Sequence, residues 1–219
     1  KNNMDYYVLS EVNPLRCVIT HSPGREHEYI TPNNLKEFIN TANGIVDNPD
    51  FLLFDDIIDV QTAQKEHESL YNILHHFTNG NCIEFTNILE AILRNVKVKD
   101  SLLDDCISLE KLIYNNNIEK DLLINLDIKN LIITLLSGYI DEKRIFTYPI
   151  PNLIFTRDIA VCIGKTILIT WSKKNVRKRE NILSKYIFKY YKPFSSLNIF
   201  DFHAKYPELS IEGGDVLVF

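Results

Sequence analysis

The chain has 219 residues, 45% of them hydrophobic, which is enough for one large domain or two small ones around a substantial core. A net charge of −5 and a pI near 5.7 argue against a nucleic-acid-binding surface, and the basic cluster at 173–179 is too short to change that. No apolar run is long enough to span a bilayer, and KNNMDYY lacks the apolar core of a secretion signal, so the expectation is a soluble, cytoplasmic protein. Cys17, Cys82, Cys106 and Cys162 show no CxxC spacing and sit in apolar runs, which fits reduced, mostly buried thiols better than disulfides or a zinc site. The chain does not begin with Met and stops at Val218-Phe219 in a strand-like run, so it is expected to be a piece of something longer.

In chain order, two β-type runs at 6–9 and 16–20, separated by Asn13-Pro14, predict a hairpin. Thr31-Pro32 opens a short helical run through Leu35 and Phe38. Asn43-Gly44 and Asn48-Pro49 make 40–50 a surface loop, and FLLFDDIIDV at 51–60 reads as a strand. A helix follows over 61–77, amphipathic mainly in its second half and stopped by Asn79-Gly80.

From 81 to 145 the texture is helical. Phe85, Ile88, Leu89, Ile92, Leu93 and Val96 hold i, i+3, i+4, i+7 spacing, as do Ile128, Leu131, Ile132, Leu135, Leu136 and Tyr139. Asp127 stands as N-cap of the latter and Gly138 near its C-terminal end. After a proline-stiffened TYPIPN, LIFTRDIAVCIG and TILITW predict an antiparallel pair turned at Gly164-Lys165. A helix over 176–191 and strands at NIFDF and IEGGDVLVF complete the chain. Strand, strand, helix, strand thus occurs on both sides of the helical stretch, a repeated ββαβ unit.

A guanidinium is planar and always charged, and carboxylates in fork geometry hold it best, so a site for one needs at least two acids. PNLIFTRD and IEGGD each end a strand-like run on a carboxylate, Asp158 and Glu212, and Gly213-Gly214 lets backbone approach a ligand closely. By spacing alone, Asp158 fits better a turn acid paired with Arg157, and Glu212 a solvated residue entering a Gly-Gly turn. Arg177 of VRKRE is either a bidentate clamp for a carboxylate or an exposed basic helix start. Of Asp55 and Asp56, one should point inward if 51–60 is a strand; surface alternation explains the pair as easily. The six histidines show no HxxxH or HExxH spacing and read as surface or satisfied core residues, so no metal is expected. GxSxG, P-loop and GxGxxG motifs are absent.

Taken in order, SEVNPLRCVITHSPGRE, LLFDDII with the following QKEH, PNLIFTRD, RKRE and IEGGDV resemble the arginine deiminases, which belong to the guanidine-modifying enzymes. The resemblance covers essentially the whole chain. It implies a five-bladed α/β propeller of ββαβ (pentein-like) units, incomplete here and interrupted by an inserted all-helical module. The implied division is a first propeller unit at 1–80, the helical module at 81–145 and further propeller structure at 146–219.

The implied reaction is hydrolysis of L-arginine to citrulline and ammonia through a cysteine thiouronium intermediate, without metal or organic cofactor. By resemblance, Asp158 and Glu212 grip the substrate guanidinium, Arg177 pairs with its α-carboxylate, and Asn152 contacts that carboxylate as well. Leu53 and Phe155 match positions that bind the α-amino group, largely through backbone carbonyls. The family's catalytic histidine and nucleophilic cysteine lie beyond EGGD, so this chain needs a carboxyl-terminal half and is expected to be inactive alone. None of its four cysteines stands in the nucleophile's context. The 40–50 segment lengthens the connection before LLFDD. A homo-oligomer is expected, with neither nucleic acid nor membrane as partner. A non-catalytic arginine-binding relative, or a hydrolase of a methylated arginine or another guanidine, fits the same residues.

Overall fold

The computed structural model describes residues 6–219. They form a mixed α/β fold with small sheets and no closed barrel. The core is the helical stretch: α2 (Phe85–Leu93), α3 (Val96–Tyr114), α4 (Lys120–Ile124) and α5 (Ile128–Ser137). Their apolar stripes meet in one cluster that includes Phe85, Leu102, Leu131 and Leu135 and continues onto Leu183 and Ile187 of α6 (Lys178–Tyr190). Each such side chain taken out of water contributes about 1.5–3 kcal/mol. The caps are as expected: Asp127 accepts from Asn130 N, and Gly138 ends α5 at φ 85°. A Cβ at Gly138 would lie 3.3 Å from the carbonyls of Phe146 and Tyr148, so the residue is needed for both angle and space.

The distal sheet follows the expected order. Strand β7 (Ala160–Ile163) turns at Gly164 into antiparallel β8 (Thr166–Ile169), α6 crosses over, and β9 (Asn198–Asp201) pairs parallel to β8. A four-residue helix, α7 (Phe202–Lys205), follows, capped by Asp201.

The amino-terminal part departs from the expectations. Strand β1 (Val18–Thr20) pairs in parallel with β4 (Cys82–Glu84), and the run at 6–9 makes only an isolated bridge, Val8 to Gly164. Local turn signals cannot reveal such distant partners. The predicted loop at 40–50 is an antiparallel hairpin of β2 (Phe38–Thr41) and β3 (Gly44–Asp47), which replaces the helix foreseen through Phe38. Asn43-Gly44, with Gly44 at φ 112°, supplies the tight turn.

The run at 51–59 is not a strand: it is irregular up to α1 (Val60–Phe77), and Asp55 and Asp56 are both exposed. α1 buries none of its residues, and Leu70, Ile73 and Phe77 on its apolar face stand exposed. A small hairpin of β5 (Tyr139–Ile140) and β6 (Lys143–Arg144) follows α5. Residues 151–154 form a 3-10 turn rather than strand, and IEGGD forms a bridge from Ile211 to Trp171 followed by a 3-10 turn, Gly213–Asp215.

The turn after β1 holds a buried charge cluster centred on His21, one of the histidines expected at the surface or satisfied in the core. His21 lies between Glu26 (Nε2 to Oε1, 3.0 Å) and Glu84 (Nδ1 to Oε1, 3.1 Å). Burial alone pushes its imidazole down, but the hydrogen bonds and charges of the two carboxylates outweigh that and raise it to about 9. Burial likewise pushes Glu26 up, yet the His21 hydrogen bond and the neighbouring imidazoles hold it well below the usual carboxylate range. His27 Nδ1 lies 3.2 Å from the same Glu26 oxygen without hydrogen-bond geometry, and its ring packs edge-on to Phe54 at 5.0 Å.

A histidine raised on folding contributes stability that is whole below its ordinary value of 6.5 and lost as pH rises through about 9. The melting temperature is therefore expected to fall between those limits, with a loss on the order of 3 kcal/mol. His21→Gln should flatten that stretch of a melting-temperature-against-pH curve. An unchanged slope in the variant would place the titration elsewhere.

Candidate functional site

PNLIFTRD and IEGGD meet. Gly213 N donates to the Asp158 carbonyl (3.0 Å), and the Arg157 guanidinium donates to the carbonyls of Gly213 (2.8 Å) and Val216 (2.8 Å) while pairing with Glu11 (2.6 Å). Arg157 is thus committed to holding the two segments and Glu11 together rather than to Asp158. A Cβ at Gly213 would lie 1.9 Å from the Arg157 carbonyl oxygen, so the junction requires glycine there.

Asp158 and Glu212 converge on one internal cation. Nη1 of Arg177 lies 3.1 Å from Asp158 Oδ2 and 3.7 Å from Glu212 Oε2. The other edge of that guanidinium, Nε and Nη2, donates to Glu180 Oε2 at 3.1 and 3.0 Å. Arg177 is 5% exposed and Glu180 fully buried, so the exposed basic helix start is excluded. Burial pushes Arg177 down, but the charges of Glu180, Asp158 and Glu212 prevail and raise it. Burial pushes the Glu180 carboxyl up to about 7, against the pull of Arg177, and its Oε1 has no hydrogen-bond partner.

Asn152 is buried, and its Nδ2 donates to the Leu52 carbonyl at 2.5 Å. That bond ties the turn at 151–154 to 52–54, where Leu53 takes a left-handed φ of 59°, a strained backbone for a residue with a side chain. Phe54 faces Phe155 with ring centroids 6.3 Å apart. Phe155 is half exposed, and its carbonyl already accepts from Asp158 N (2.9 Å), leaving one lone pair. The expected residues therefore fall into two groups: Asp158, Arg177 and Glu212 in direct contact, and Asn152, Leu53 and Phe155 gathered where 52–54 meets 151–155.

Sequence reasoning missed Glu180. Its i, i+3 spacing to Arg177 at a helix start was the available signal. A cleft of about 350 Å³ opens elsewhere, lined by His21, Glu26, Glu84, Lys129 and Ile132 among others, and shares no lining residue with the Asp158 group. Among the described residues no cluster of His, Cys, Asp and Glu could hold a metal ion, and no helix is long and apolar enough to cross a membrane. All four cysteines are free thiols, Cys82 and Cys106 buried.

Fold and site define a mixed α/β protein with an acid-rich centre, in which three carboxylates surround one guanidinium. Comparison with known proteins shows what the chain is similar to. A family model described as arginine deiminase matches residues 125–219. The arginine deiminase of Borrelia garinii subsp. bavariensis is 33% identical over 96% of this chain and 52% of its own length. Those of Borreliella burgdorferi (32%) and Treponema denticola (30%) align over the same shares. By sequence the chain is similar to arginine deiminases, as its ordered motifs imply, and it spans about half the length of the curated relatives it matches.

Proposed function

We propose that this chain is the amino-terminal, substrate-gripping part of an arginine deiminase, which hydrolyses L-arginine to citrulline and ammonia. The observation that carries the reading is charge: Asp158, Glu180 and Glu212 share a single internal guanidinium. Even with Glu180 partly protonated by burial, one cation does not neutralise Asp158 and Glu212 together, and a second guanidinium suits the surplus. Asp158 and Glu212 orient that substrate group and stabilise its charge during attack at its central carbon. Arg177 clamps the α-carboxylate with help from Asn152, and the backbone at Leu53 and Phe155 takes the α-amino group.

The thiolate that attacks and the histidine that relays protons come from a carboxyl-terminal half of the same polypeptide or of a second chain. The architecture that goes with this reading is a five-bladed propeller. A first propeller unit occupies 1–80, a helical insertion spans 81–145, and further propeller structure occupies 146–219; the assembly is homo-oligomeric and cytoplasmic.

The test is citrulline formation from arginine by the full-length polypeptide, with and without thiol alkylation, compared with ammonia release from agmatine, which lacks the carboxylate. Alkylation is expected to abolish citrulline formation, and agmatine to react at least about 100-fold more slowly in kcat/KM, the loss of one charge-assisted bidentate contact in a desolvated site. Equal rates on both substrates would remove Arg177 from its role. Absent citrulline would leave an arginine-binding relative as the better reading.

A further inference from the structure

RKRE carries three buried side chains, and the middle one faces away from the candidate site. Arg179 is 3% exposed at the first turn of α6 and spends its whole guanidinium on the helical stretch and the segment that leaves it. Nε donates to the Leu135 carbonyl at the end of α5 (2.9 Å), Nη1 to Glu110 Oε1 of α3 (3.2 Å) and Nη2 to the Tyr148 carbonyl (2.5 Å). The guanidinium also lies 4.4 Å from the Phe146 ring centroid. Glu110 is 1% exposed and fully engaged: its second oxygen accepts from Thr147 N (3.0 Å), Thr147 Oγ1 (2.7 Å) and Asn116 Nδ2 (3.1 Å).

The chain places Arg179 two residues after Arg177 and next to Glu180, and it places Tyr148 four residues before Asn152. One buried ion pair therefore fastens both strips of backbone that bring carboxylate-binding groups to the site. The geometry points to Arg179 and Glu110 as positioning residues that set the Arg177 clamp, and so the preference for substrates bearing an α-carboxylate. This rests on the arginine reading above and extends it, because it gives the helical stretch a part in substrate choice. Neither residue touches substrate. Their effect passes through the first turn of α6 and through 148–152, and a displacement of about 1 Å there is enough to cost a clamp most of its value.

The experiment uses the full-length polypeptide and reads kcat/KM for arginine and for agmatine in Glu110→Gln, which removes the charge and keeps the shape, and in Arg179→Lys, which keeps the charge and loses the fork. Both are expected to lose about tenfold or more on arginine and little on agmatine, so that the arginine-to-agmatine ratio falls. A merely structural role would lower both substrates together and leave the ratio alone. Where a single variant does not fold, Glu110→Gln/Arg179→Gln carries the test, because two neutral amides strand no buried charge. Folded variants at the wild-type ratio reject the clamp, and failure of all three to fold assigns the pair to stability alone and rejects it as well. A wild type that forms no citrulline instead rejects the arginine reading beneath the inference.

Discussion

Asp158→Asn in the full-length polypeptide is expected to lower citrulline formation by about two to three orders of magnitude, the scale of removing one preorganised electrostatic partner of a developing charge. The substitution keeps the shape of the side chain and strips its charge, so a bound guanidinium is left with Glu212 alone while Arg177 retains Glu180. The fold should survive, because the backbone of Asp158 is fastened independently of its side chain. Its carbonyl accepts from Gly213 N (3.0 Å) and Thr170 Oγ1 (2.8 Å), and its N–H donates to the Phe155 carbonyl (2.9 Å). Steady-state citrulline production beside a thermal melt separates the two effects. A folded variant within about threefold of wild type would remove Asp158 from the guanidinium grip, since a preorganised charge partner of the reacting group is worth more than that.

How much of this is legible in the sequence follows from how far each feature's partners lie along the chain. The helices at 85–137 read directly, since apolar spacing and the Asp127 and Gly138 caps are local codes. The β7–β8–α6–β9 unit reads as well, because Gly164 marks its turn and α6 shows a clean stripe.

The run at 51–59 fails for the opposite reason: its backbone is tied down by Asn152, 100 residues away, and a left-handed Leu53 has no sequence signature. Strand β1 finds its partner at Cys82–Glu84 for the same kind of reason, and no signal near residue 18 names it. RKRE shows both limits at once. Its charges resemble a solvated helix start, yet Arg177 is drawn in by Asp158 and Glu180, and Arg179 by Glu110, 69 residues away. Buried ion pairs between distant segments are invisible to periodicity because they break it. The ordered motifs were enough to suggest the family, but the geometry of its acids, with Glu180 among them, comes only from the fold.

Gly213→Ala should do the greatest damage to the junction from which both candidate acids project. Its Cβ would sit 1.9 Å from the Arg157 carbonyl oxygen and 2.7 Å from the carbonyl carbon, and both are backbone atoms that no rotamer change can move aside. The strip at 211–216 must therefore lift away from 157–158. Lifting stretches the bond from Gly213 N to the Asp158 carbonyl and the two from the Arg157 guanidinium to Gly213 and Val216. Overpacking of this kind costs about 1–3 kcal/mol before the loss of those bonds is counted. Glu212 moves with the strip and away from Asp158, so activity of the full-length polypeptide is expected to drop about 100-fold, as for a misplacement near 1 Å. The neighbouring Gly214 is the internal control. Nothing lies within 4 Å of a Cβ built there and its backbone is not left-handed, so Gly214→Ala should change stability by no more than about 1 kcal/mol. Equal behaviour of the two alanine variants in a thermal melt and a citrulline assay would mean that close approach at Gly213 does not hold the two acids together.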